Sequence, residues 1–241
     1  MVESGAVIGR GTRILANAVV TGHATIGQDC EIHFSAVVGH EPQDLTFEGA
    51  SSRVIIGDRT ILREFVTIHR ATAEGGATTI GEDCLLMVNS HVAHDCTIGN
   101  NVVICNSALI AGHVTVEDRG FLSGNTVVHQ FARVGKLVML SGLSGIGRDV
   151  GPYLTVARRG EVTGLNTVGM RRAGYDGAAR RRVREAYRAL FQADTLDEGL
   201  ALVREGGAEH EDITAILEFY GKSRRGYARP ATRKWLETQA V

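Results

Sequence analysis

Five of the nine histidines of this 241-residue chain, His69, His91, His94, His113 and His129, fall within one 61-residue window. A lone surface histidine usually does nothing, but this density points to chemistry. His94 has the richest surroundings. Asp95 follows it, and Gly112 and His113 come eighteen and nineteen residues later. A neutral imidazole, with an unperturbed pKa near 6.5, serves well as a general base. A neighbouring carboxylate can support it, and a glycine N–H without a side chain in the way can stabilise an oxyanion. Base, supporting acid and oxyanion donor are the parts of an acyl-transfer site. Adjacent strand residues point to opposite faces, so Asp95 meets the His94 ring only if a corner lies between them.

Metal binding is the competing chemistry. A zinc site in a β-prism wants three converging histidines, as in γ-class carbonic anhydrases, whose pattern includes a His-x4-His pair. Here the close pair is His91-x2-His94, so no metal is expected.

The elements that must carry these residues are written in a period of six. Aliphatics recur at Val2, Ile8, Ile14, Val20, Ile26, Ile32 and Val38, at Ile56, Leu62 and Ile68, and without a gap from Ile80 to Ile146. Small or modest residues sit four places later, as at Ala18, Cys30, Cys84, Ser90, Cys96 and Ala108. An α-helix would repeat at three or four, and a lone strand at two. A period of six fits a prism with one short strand per side, each side sending one aliphatic inward. The fold class is mainly β, a parallel β-helix of hexapeptide repeats. Three sides make an eighteen-residue coil, and successive coils pair about 4.8 Å apart. Positions eighteen apart then stack, which puts Gly112 on His94, Gln130 on Gly112 and His113 on Asp95. Val88, Asn106, Gly124 and Gly142 form another column.

The pattern lapses over 39–55 and 69–79, read as loops extruded from the prism, where binding residues tend to lie. It fades near Gly151-Pro152. Beyond it, 177–192 carries Val183, Ala186, Tyr187, Leu190 and Phe191 on one helical face. Thr195 is a fitting N-cap for a second helix, and 211–222 reads as a third. The expected division is a β-helix over 1–151 and a connecting segment with an α-helical domain over 152–241. The basic, aromatic tail 223–241 reads as a short helix or as disordered chain.

Bulk composition excludes more than it assigns. The net charge of −1 gives no nucleic-acid footprint. No apolar run is long enough to span a membrane, and the repeat starts at Val2, leaving no room for a signal peptide. A cytoplasmic protein is expected. Cys30, Cys84 and Cys96 occupy the small position of the repeat, so they read as packing thiols.

The segments PQDL (42–45), IGDRTILREFVTIHR (56–70), HVAHDCTIG (91–99), AGHVTVED (111–118), VHQF (128–131) and GLNTVGMRRAG (164–174) resemble the UDP-N-acetylglucosamine O-acyltransferase family. The likeness runs from about residue 2 to 226, and HVAHDC is its most specific part. It implies a left-handed β-helix assembled as a homotrimer with active sites between prisms. The reaction implied moves a 3-hydroxyacyl chain from the phosphopantetheine of acyl carrier protein to the 3-hydroxyl of a UDP-sugar, the first step of lipid A synthesis. No other cofactor is implied. By the same resemblance His94 is the general base, Asp95 its supporting carboxylate and Gly112 the oxyanion donor. Gln43, Asp44, His91, His113, His129 and Gln130 match substrate-cleft positions. Asn166 and Arg172 match nucleotide and phosphate binders, and Gly142 the acyl-chain ruler, where a glycine favours a longer chain. A related N-acyltransferase carries an extra N-terminal domain, which a chain opening directly on repeats disfavours.

The chain departs from the family in three places. Thr46 stands where a lysine is usual, Ala173 replaces a second arginine, and VARRGEV (156–162) replaces a Gly-Asn-containing stretch. O- and N-acylation remain open at this level. The alternatives are a hexapeptide acyltransferase using acyl-CoA, a γ-carbonic-anhydrase-like zinc lyase, and a non-catalytic trimeric scaffold.

Overall fold

The computed structural model describes residues 1–231; the end of the tail, and any helix expected there, lies outside them. Twenty-one short strands, from Val7–Ile8 to Gly145–Ile146, wind into a three-sided prism. Face one is a seven-stranded sheet running from Val7–Ile8 to Arg133–Val134. Face two starts at Arg13–Ile14 and has nine strands, and face three, from Val19–Val20 to Gly145–Ile146, has seven. All pairs in the prism are parallel. In the uninterrupted part the register step is eighteen, as in Val92↔Ile110 and Ile110↔Val128. The architecture is a left-handed parallel β-helix followed by a few helices.

The period of six follows from what sits inside and what turns the corners. Ile26, Ile32, Leu62, Leu86, Ile104, Ile110 and Leu122 are at most 1% exposed. Burying one such side chain contributes about 1.5–3 kcal/mol. Cys30, Cys84 and Cys96 pack inside as expected, and all are free. Their thiols donate to carbonyls of the next coil, at 3.2 Å to Gly57, 3.1 Å to Gly99 and 3.1 Å to Ala111. Burial raises all three thiol pKa values, that of Cys96 to about 12, which leaves them poor nucleophiles.

Most corners hold one residue in the left-handed region. Asn89, Asp95, Asn101, Ser107 and His113 have φ of 60, 59, 57, 56 and 60°. That conformation costs a non-glycine residue about 1–2 kcal/mol. It is held because the corner N–H is fixed to the coil below, as in His113 N–H to His94 O at 3.0 Å.

The two loops are tighter than the lapse in pattern suggests. Strands Val37–His40 and Arg53–Ile56 bound the first, and Thr67–His69 and Ala77–Ile80 the second, so 41–52 and 70–76 leave the sheets. Ile26 pairs with Ile56 and Ile56 with Ile80, register steps of 30 and 24. The excess is twelve and then six, both multiples of the period, which is why the aliphatics return in phase. Arg70, 5% exposed, anchors the first loop. It donates to the Ala50 carbonyl at 2.6 Å and lies over the Phe47 ring at 4.9 Å.

After Ile146 the chain adds Leu154–Ala157 to face two and turns back antiparallel through Glu161–Leu165. This hairpin contains the VARRGEV stretch and was not anticipated. Helix α1 (Thr167–Arg172) was also missed, being too short to show a period. Helices α2 (Gly177–Gln192), α3 (Leu196–Glu205, capped by Thr195) and α4 (Glu211–Gly221) fall where the apolar faces put them. Tyr187 anchors α2 on the prism through its hydroxyl, 2.7 Å from the Pro152 carbonyl.

Candidate active site

The corner between faces three and one carries His94, Asp95, Gly112, His113 and Gln130. Asp95 is its left-handed residue, and that single φ swings its side chain back beside its predecessor. His94 Nδ1 lies 2.8 Å from Asp95 Oδ2. The corner that the sequence required is present.

Asp95 is held from a second direction. Thr72, in the second loop, donates its N–H to both carboxylate oxygens at 3.2 Å and its hydroxyl to Oδ2 at 2.8 Å. The Asp95 N–H donates to Thr78 Oγ1 at 2.8 Å. Burial pushes the Asp95 carboxyl upward, but the hydrogen bonds from His94 and Thr72 outweigh it and keep its pKa below the usual range. The carboxylate is therefore charged at neutral pH. In the neutral ring, donation of Nδ1–H to that charge selects the tautomer whose Nε2 carries a lone pair.

One coil on, Gly112 faces the His94 ring. A Cβ built on Gly112 would lie 2.5 Å from His94 Cε1 and 2.7 Å from Nε2. Its N–H donates no backbone hydrogen bond among the described residues. His113 stands beside the pair, its ring 5.2 Å from that of His94 and its Nε2 3.6 Å from Asp95 Oδ2. Phe131, one coil further, stacks on His113 at 4.5 Å and 8°. His94, Asp95 and His113 form the one group of possible metal ligands found among the described residues.

The first loop reaches toward this corner. Thr46 donates N–H and hydroxyl to Asp44 Oδ1, both at 2.8 Å. These bonds lower the Asp44 pKa, with smaller contributions from His94 and His113. Thr46 thus organises the carboxylate it follows. Gln43 is exposed in the same loop, and His129 and Gln130 are exposed on the coil above Gly112. His91 lies on face three, bonded through Nδ1 to Thr67 Oγ1 at 2.7 Å, and its ring meets that of His69 at 4.8 Å. Burial, with His91, His40 and His94 adding repulsion, lowers the His69 pKa to about 4.

The remaining residues lie elsewhere on the prism. Asn166 and Arg172 border a cleft of about 710 Å³ over face two, with Arg119, Phe121, Leu137, Met139 and Leu165. Asn166 is largely engaged inside the protein. It donates to the Leu137 carbonyl at 2.8 Å and caps α1 by accepting from the Gly169 N–H at 2.9 Å. Arg172 is exposed. Gly142 occupies the third corner, and a Cβ there would meet only the Gly124 carbonyl at 3.5 Å.

Thr72, Thr78, Phe131 and Arg119 were not foreseen. Phe131 was reachable by adding eighteen to His113. Thr72 was not, because the loop breaks the column arithmetic.

The sequence and the fold both have counterparts among known proteins. The chain is 43% identical over 213 residues, 87% of its length and 83% of the relative's, to the acyl-[acyl-carrier-protein]–UDP-N-acetylglucosamine O-acyltransferase of Anaeromyxobacter sp. (strain Fw109-5). The chain belongs to the UDP-N-acetylglucosamine O-acyltransferase family. The profile for the second domain of that family matches residues 149–228 of this acyltransferase, and the bacterial transferase hexapeptide profile matches 5–40 and 77–112. Its fold superposes on LpxA of Acinetobacter baumannii with a TM-score of 0.87 at 31% identity, covering 95% of this chain and 93% of that one. The UDP-N-acetylglucosamine acyltransferase of Campylobacter jejuni gives 0.86 at 33% identity, covering 97% and 98%.

Proposed function

We propose that this enzyme transfers a 3-hydroxyacyl chain from the phosphopantetheine thioester of acyl carrier protein to the 3-hydroxyl of UDP-N-acetylglucosamine, opening lipid A synthesis, with His94 as general base. The observation that carries the reading is the His94 ring held between the Asp95 carboxylate at 2.8 Å and the bare face of Gly112. Nε2 takes the proton of the sugar hydroxyl as its oxygen attacks the thioester carbonyl. The Gly112 N–H receives the oxyanion. Collapse of the tetrahedral intermediate breaks the carbon–sulfur bond, and the imidazolium returns the proton to the departing thiolate. Asp95 orients the ring and stabilises its cationic form.

Assembly as a homotrimer follows from the same reading. His94, Asn166 with Arg172, and Gly142 occupy three separate corners or faces of one prism. Packing prisms side by side lets one subunit supply the base and a neighbour the nucleotide or acyl-chain contacts. Asp44 and Gln43 would meet the sugar, Arg172 the diphosphate through paired hydrogen bonds, and His91, His113, His129 and Gln130 the walls of the cleft. No helix among the described residues is long and apolar enough to cross a membrane.

The test offers purified protein a series of 3-hydroxyacyl carrier thioesters, and the matching acyl-CoA compounds, with UDP-N-acetylglucosamine. A mono-acylated UDP-sugar from the carrier donors alone is expected. Equal use of coenzyme A donors would overturn the carrier assignment. Light scattering gives the assembly state, and a monomeric mass would remove the shared cleft.

A further inference from the structure

We propose that His94, Asp95 and His113 together bind a zinc-class divalent cation, and that the bound ion stops turnover. The donor atoms are already gathered. His94 Nδ1 is 2.8 Å and His113 Nε2 3.6 Å from Asp95 Oδ2, and the three donors lie within 4.8 Å of one another. Tetrahedral zinc with bonds near 2.0–2.1 Å sets neighbouring donors about 3.3 Å apart, a value between those two distances. The third pair, His94 to His113, lies within 4.8 Å, and rotation of the half-exposed His113 ring closes it. Two imidazoles and one carboxylate form the donor set of zinc sites that keep a fourth position open.

The shell behind the donors is built as well. Thr72 fixes Asp95 through three hydrogen bonds. Phe131 stacks flat on His113, and Gly112 leaves His94 its place. Partners of this kind hold metal ligands in position. Access is open, since the His113 side chain is 37% exposed. Among the described residues, the other histidine cluster, His40, His69 and His91, forms no such set with a carboxylate. The buried thiols of Cys30, Cys84 and Cys96 are committed to carbonyls of the next coil.

The effect on catalysis follows from where the ion binds. It would take the Nδ1 lone pair that otherwise carries the proton shared with Asp95. A neutral imidazole ligated through Nδ1 carries its proton on Nε2, so it cannot accept one from a hydroxyl. The inhibitory half therefore rests on His94 being the base, while binding does not.

Chelator-treated full-length protein is titrated with zinc by calorimetry, alongside Asp95→Asn and His113→Gln, each checked for folding by circular dichroism. One equivalent per chain is expected, with affinity weakened about tenfold or more in both variants. Absence of saturable binding, or unchanged affinity in either variant, overturns the site. Turnover is followed in parallel and should fall with occupancy and return with EDTA. Binding that depends on both residues but leaves turnover intact would overturn the inhibition and count against His94 as base, with the site itself still standing.

Discussion

The imidazole of His94 occupies the space in which Gly112 would carry a side chain, with Cε1 only 2.5 Å from the position of a Cβ. The base and the oxyanion donor are thus coupled through one volume. Gly112 has no left-handed φ to require a glycine; the His94 ring on the coil below does. Gly112→Ala should displace the ring, break its bond to Asp95 and lower kcat by about 100-fold. Its thermal midpoint should stay close to wild type. Turnover within a factor of two of wild type would sever the link between the two residues.

His94→Ala should remove at least about 10²–10⁴ of the rate, the usual contribution of a positioned base. Nucleotide-sugar affinity, measured calorimetrically, should change little, because the imidazole acts on the reacting hydroxyl rather than the diphosphate. A variant that still turns over normally would exclude His94 as base.

Thr72 touches the catalytic apparatus only through Asp95. Thr72→Val preserves shape and the N–H bonds but deletes the 2.8 Å hydroxyl bond to Oδ2. A fall of about 10- to 100-fold in kcat is expected, with KM for the nucleotide sugar unchanged, since a lost hydrogen bond to a charged group is worth about 1.5–3 kcal/mol. Thr72→Ser, which keeps the hydroxyl, should recover most of the rate. If serine and valine behave alike, the hydroxyl has no part in holding Asp95.

The Gly142 corner is open, with only the Gly124 carbonyl, at 3.5 Å, near a new Cβ. Gly142→Met should therefore fold and shift the preferred donor to a shorter acyl chain by filling the end of the groove. Competition among carrier thioesters of graded length, read by mass spectrometry, measures this. An unaltered length profile would release Gly142 from the ruler role.

His69 gives the prism an acid-sensitive point. Burial lowers its folded pKa from 6.5 to about 4, so below pH 6.5 the unfolded chain takes up a proton that the native ring refuses. Stability from this residue is complete above pH 6.5 and declines as pH falls toward 4, by about 3 kcal/mol in total. Urea unfolding at pH 7 and pH 5 should expose the loss, and His69→Gln should flatten it. Identical slopes for the two proteins would mean that His69 is not the titrating group.

The legible part of this molecule was the part that repeats. The six-residue period placed Ile104, Ile110 and Leu122 inside and put Cys96 on an interior corner, and adding eighteen to His94 reached Gly112. The same addition reaches Phe131 from His113, although nothing in those two residue types marks them as a pair. Where the chain leaves the prism the arithmetic fails. Thr67 pairs with His91 at a step of 24, and Thr72 meets Asp95 at a distance no fixed period encodes. The short hairpin Leu154–Ala157 to Glu161–Leu165 and helix α1 also escaped, because neither is long enough to express a periodicity.

From its residues alone, the chain settled that a β-helix forms and which side chains share a column, because every coil must bury the same positions and hydrogen-bond to its neighbours. Folding in three dimensions decided the rest. A left-handed corner turned Asp95 toward His94, and a loop carried Thr72 to the far side of that carboxylate. Both depend on the direction of a single backbone angle or the path of an irregular segment, and such directions are set by packing against the finished prism rather than by residue spacing.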